Sequence, residues 1–181
     1  AEFDARRQPD DTSACDGWLH LLDDELETTP VSNLDRKHLQ ALFVTGAFSE
    51  CLGDSALPFA SAAAALAGSG DNFETIVVGG RSGTKHNALQ IAEVIEAWPV
   101  DPERPLVLLG YSKGTPDILQ FLVDYPELAG RVSAVVSVAG AVGGSPLADR
   151  YASLYDLLFS HLPSSHCEKG DREVVDSLRT D

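Results

Sequence analysis

The chain has 181 residues and a formal net charge of −15, with 44% hydrophobic and 23% charged residues, the composition of a globular domain large enough to bury a core. The strong acidic balance excludes nucleic acid as a partner, because no basic cluster is present to neutralise phosphates, and it disfavours anionic membranes. No apolar run reaches membrane-spanning length, and Cys15, Cys51 and Cys167 are too widely spaced for a zinc site or a disulfide framework, which leaves the compartment open.

In chain order, residues 1–38 read as an acidic N-terminal extension with one helix near 17–27, where Trp18, Leu19, Leu22 and Leu26 fall at helical spacing. The opening residues do not read as a signal peptide. The chain holds no Met, so the natural N-terminus is expected upstream of Ala1. Residues 39–162 read as an α/β core. A buried strand is predicted at 39–45, a loop at 46–54, and a helix at 55–67 closed by Gly68. A second strand follows at 73–78, then a turn at 79–83. An amphipathic helix over 84–98 carries Ala88, Ile91, Ala92, Ile95 and Trp98 on one face. After a proline-punctuated loop, a third strand covers 106–109 and a helix runs over 115–125, with Pro116 in its first turn where a missing N–H costs little. A valine-rich fourth strand is predicted at 131–138, a loop at 140–146 and a helix at 147–162. Residues 163–181 read as a polar tail. The alternation implies a parallel sheet of about four strands with helices on both faces.

The most informative stretch is Gly110-Tyr111-Ser112-Lys113-Gly114. It is Gly-x-Ser-x-Gly set between a strand and a helix, the context in which that pattern presents a nucleophile. A serine on so tight a turn is expected in a strained backbone conformation, flanked by positions that tolerate little beyond glycine. Its Oγ would sit at the carboxyl end of a strand and at a helix N-terminus, where N–H groups can stabilise an oxyanion. The Lys113 side chain reads as a solvated surface charge.

Two other stretches are weaker. Gly79 to Lys85 has the outline of a phosphate loop, but Thr84 intervenes before the lysine. A tight turn with Ser82 or Thr84 capping the following helix is the better reading. Asp23-Asp24-Glu25 lacks the ligand spacing of a calcium loop and reads as a solvated helix face. No metal site and no cofactor are therefore expected.

At these residues the chain resembles the α/β-hydrolase family, in particular its bacterial lipase- and esterase-like members. Gly110 to Gly114 is similar to the nucleophile elbow. Phe43-Val44-Thr45-Gly46-Ala47-Phe48 resembles the strand and oxyanion loop, with Thr45 where His is commoner. Gly144-Ser145-Pro146-Leu147-Ala148-Asp149 is similar to the Gly-Ser-x-x-Ala-Asp stretch of lipases. The resemblance implies a sheet order of second, first, third, fourth strand. It implies acyl transfer on a carboxylic ester, with Ser112 as nucleophile. The oxyanion donors would be the main-chain N–H of Lys113 and that of Ala47 or Phe48.

The triad order in the family is Ser, then an acid, then His. After Ser112 the histidines are His161 and His166, and the acids include Asp149, Asp156, Glu168, Asp171 and Asp176. No strand-like run follows residue 162, and Val174-Val175 is too short to supply one. The expectation is an N-terminal portion of a longer hydrolase, with His161 and His166 as ordinary helix-end and loop histidines. The alternative is a non-catalytic module, or one binding a small anion or nucleotide, in which the serine turn is vestigial.

Overall fold

The structure, a computed structural model, describes residues 39–49, 72–99, 101–146, 148–150 and 173–180, all within one compact unit, Arg36–Asp181. The expected helices at 17–27 and 55–67, and most of that at 147–162, lie outside the described residues.

Four strands form one parallel sheet: β1 (Gln40–Val44), β2 (Asn72–Ile76), β3 (Leu106–Tyr111) and β4 (Val132–Val138). Their order is β2-β1-β3-β4, the order expected. β1 is buried along its whole length, as a central parallel strand must be when both its faces are covered. Leu42, Val44, Ile76, Val78, Leu106 and Leu108 belong to the main apolar cluster. On the alternate residues of the pleat, the rings of Phe43 and Phe73 stack with centroids 6.3 Å apart.

The apolar cluster is closed by two helices, α1 (Thr84–Ala97) and α2 (Gly114–Asp124). α1 contributes Ala88, Ile91, Ala92 and Ile95, and α2 contributes Ile118 and Phe121. These residues recur every three or four positions, so each helix turns one stripe inward. A short helix α3 (Pro126–Ala129), not among the expected elements, starts on its proline. β4 departs from simple register: Leu106 faces Val132 but Val107 faces Ala134, so Ser133 is an extra residue, a bulge that bends this strand.

One local expectation is corrected. Neither Ser82 nor Thr84 caps α1: its N-cap is Gly83, with no side-chain cap bond. Ser82 turns inward instead. Its N–H donates to the Gly79 carbonyl at 3.0 Å, and its side chain is buried so closely over Gly79 that a Cβ there would meet Ser82 Oγ at 2.7 Å.

Candidate active site

Ser112 stands between β3 and α2 with φ +51°, a left-handed conformation that a non-glycine residue adopts only when its surroundings hold it there. Its main chain is held on three sides. The Ser112 N–H donates to the Val138 carbonyl at 3.0 Å, and the Ser112 carbonyl accepts from Ala141 N–H at 3.1 Å and Thr115 N–H at 3.3 Å. Lys113 returns at once to the right-handed helical region, φ −62°. The reversal of φ across one peptide swings the chain from strand into helix.

The flanking glycines are dictated by contact. A Cβ on Gly110 would lie 2.6 Å from Thr115 Cα, and one on Gly114 would lie 2.6 Å from the Thr45 carbonyl oxygen and closer still to that of Val44. The first turn of α2 therefore rests directly on the end of β1. Thr115 fastens the same corner: its Oγ1 donates to the Gly110 carbonyl at 2.9 Å and lies 3.2 Å from Ser137 Oγ.

The loop after β1 faces the serine. A Cβ on Gly46 would be 3.2 Å from Ser112 Cβ and 3.1 Å from the Tyr111 carbonyl oxygen. The loop is a tight turn in which Phe48 has φ +64° and both the N–H and the Oγ of Ser49 bond to the Gly46 carbonyl. Thr45, where the resemblance leads one to look for His, is fully buried and structural. Its N–H donates to Ile76 O at 3.2 Å, and its Oγ1 accepts from Val78 N–H at 3.4 Å. Of the two alternative donors in this loop, Phe48 N–H is engaged by the Gly80 carbonyl at 3.1 Å. Ala47 is the candidate that this bond leaves.

Lys113 is the clear correction. Expected as a solvated charge, it is fully buried. Its Nζ lies 2.6 Å from Asp117 Oδ1, and both side chains are inaccessible. Asp117 Oδ2 accepts from Asn87 Nδ2 at 2.8 Å, and the same amide nitrogen donates to the Gly79 carbonyl at 3.0 Å. Burial pushes the Asp117 carboxyl up to about 6 from 3.8, against the opposing pull of the Lys113 charge and of the hydrogen bonds from Lys113 and Asn87. Sequence reasoning missed Asp117 and Asn87. The available signal was spacing: Lys113 and Asp117 are four apart, on the stripe that continues to Phe121.

Among the described residues no histidine is hydrogen-bonded to Ser112. His161 and His166, with Asp156, Glu168 and Asp171, lie outside the described residues. Asp149 is exposed and accepts from Thr180 through N–H at 3.1 Å and Oγ1 at 2.5 Å. Asp176 opens a short 3-10 turn, Asp176–Leu178. Residues 173–180, expected in a polar tail, bury Val174 and place Leu178 O against Ser145 N–H at 2.7 Å. No group able to hold a metal is found among the described residues.

A parallel β2-β1-β3-β4 sheet, with the loop after β1 set against the turn at the exit of β3, is the core of the α/β-hydrolase fold. The chain has that fold, and the solved structures it resembles are those of an esterase and a lipase. Among solved structures it is similar to the metagenomic carboxyl esterase MGS0156, at 36% identity and a TM-score of 0.69, over 81% of this chain and 44% of that one. The Bacillus licheniformis lipase BlEst2 shares the fold. Its mature form matches at 23% identity and a TM-score of 0.59, over 83% of this chain and 58% of that one. Its propeptide form matches at 22% and 0.60, over 83% of this chain and 32% of that one. The chain thus spans about half the length of the esterase and of the mature lipase. No protein-family model and no curated protein matches the sequence.

Proposed function

We propose that the chain carries the nucleophile of a serine hydrolase acting on carboxylic esters, lipids among them, through an acyl-enzyme on Ser112. The observation that carries this reading is Ser112 at φ +51°, fixed between β3 and α2 by glycines that nothing larger could replace. A strained serine at a strand–helix turn is the geometry that exposes a nucleophilic Oγ. The names of the neighbours, a carboxyl esterase and a lipase, supply the substrate class.

In this reading Ser112 Oγ attacks the ester carbonyl carbon as a histidine takes its proton. The carbonyl π electrons move onto oxygen, and the main-chain N–H groups of Lys113 and Ala47 receive that charge. Collapse expels the alcohol, protonated by the same histidine, and leaves the acyl group on Ser112. Water then attacks the acyl carbon, with the histidine as base; collapse breaks the bond to Ser112 Oγ, the histidine returns the proton to that oxygen, and the carboxylic acid leaves. The acid and histidine follow Ser112 in chain order. In the full-length protein, Ser112→Ala is expected to lower turnover of a short-chain aryl ester by about 10⁴-fold or more while leaving the fold unchanged by circular dichroism. Retention of full turnover would refute the assignment.

A further inference from the structure

The Lys113 side chain stands apart from the reaction outlined above, which uses only its peptide N–H. Yet it starts a continuous buried chain of polar contacts. Lys113 Nζ meets Asp117 at 2.6 Å, Asp117 meets the Asn87 amide at 2.8 Å, and that amide meets the Gly79 carbonyl at 3.0 Å. One residue further on, the Gly80 carbonyl holds Phe48 N–H at 3.1 Å. The chain therefore begins at the side chain of Lys113 and ends at Gly79, one residue before the carbonyl that holds Phe48, the neighbour of Ala47; Lys113 and Ala47 are the two oxyanion donors of the reading above.

We propose that Asp117 and Asn87 are positioning residues of the Ser112 site, which with the Lys113 side chain form a buried strut fixing the Lys113 peptide against the loop after β1. The inference rests on the Ser112 reading. The strut joins three elements through consecutive polar contacts that add to their apolar packing. These are the start of α2, the first turn of α1 and, through the β2–α1 turn, the loop at 46–49. Two N–H groups serve an oxyanion only if their separation and direction are held to within a fraction of an ångström.

Stability is a poor explanation for these residues. A buried ion pair replaced by apolar side chains of similar volume is often neutral or stabilising. Asn87 spends its amide nitrogen on two acceptors while its Oδ1 is buried with no hydrogen-bond partner among the described residues, an added cost that packing alone would not retain.

The test uses the full-length protein. Fluorophosphonate labelling of Ser112 in the wild type first establishes the site and then counts active sites in each variant. Asn87→Ser, Asp117→Asn and Lys113→Met are expected to lower kcat per labelled site by about tenfold or more, with KM changed by less than about threefold, since the strut serves the transition state and not substrate binding. A kcat per site within about twofold of wild type, whatever the change in Tm, would overturn the inference. Asn87→Ser leaves the ion pair in place and decides the matter where the other two fail to fold. If the wild type hydrolyses esters but does not label at Ser112, the site reading falls and the strut with it. If it labels and the variants match it, the strut alone falls.

Discussion

At position 114 the requirement for glycine comes from another element. Its Cα passes so close to the end of β1 that any side chain would press on the Val44 and Thr45 carbonyls, both backbone atoms that cannot rotate away. Gly114→Ala is expected to destabilise the protein by about 3 kcal/mol or more, as overpacking against rigid atoms does. A denaturation midpoint equal to wild type would contradict this. Asp117 offers a second test, in pH. Its carboxyl holds a proton more tightly in the fold, up to about 6, than in the unfolded chain at 3.8. Its contribution therefore favours the fold most at low pH and is lost as pH rises through about 6. Asp117→Asn removes that dependence. On acidification from about pH 7 to about pH 4, wild type should gain stability relative to the variant by up to about 1.4 kcal/mol per pH unit within the window. Parallel stability curves, or the opposite slope, would count against a raised carboxyl. The Ser112 turn was legible because its constraints are local, a glycine on either side and a strand and helix around it. The burial of Lys113 was not, because it depends on Asn87, 26 residues earlier in the chain, arriving from a different helix.

At the scale of elements, short runs rich in apolar residues located all four strands to within two residues or so; β1, covered on both faces, is a continuous buried run, while β4 is a valine-rich run that stays partly exposed. What escaped was chemistry at their ends. α1 begins on Gly83 and not on a hydroxyl cap, since Ser82 is drawn into the turn below it. Its other end is closed from a distance. The Arg131 guanidinium donates to the carbonyls of Ile95 at 2.5 Å, Glu96 at 3.3 Å and Trp98 at 2.5 Å. These carbonyls lie in the last turn of α1 and at its C-cap, at the negative end of the helix dipole, and that of Ile95 also accepts from the Trp98 N–H at 3.3 Å. A cation sitting 33 residues beyond Trp98 cannot be assigned to that role from spacing alone. Arg131→Ala is expected to cost about 1.5–3 kcal/mol, the range for hydrogen bonds to a charged group. Loss of amide-exchange protection should be concentrated in the last turn of α1. An unchanged exchange pattern there would show that the capping contributes nothing.

For the whole molecule, strand order could be anticipated because only a few topologies connect alternating strands and helices without crossing or left-handed turns. The consequence is positional: the carboxyl ends of β1, β2 and β3 lie at one end of the sheet, where the loop leaving β1 meets Ser112 and the turn leaving β2 holds Phe48 of that loop. That end is where an open parallel sheet binds its ligand. The acid and base that would act on Ser112 could not be read, because a triad is assembled from residues far apart in sequence and is recognised by geometry and not by position. The central claim is that Ser112 is a nucleophile, and peptide mapping by mass spectrometry after treatment of the full-length protein with a fluorophosphonate tests it most directly. The account predicts a single adduct on the peptide carrying Ser112, abolished by prior denaturation. An active esterase whose adduct maps to another serine, or which forms none, would contradict it.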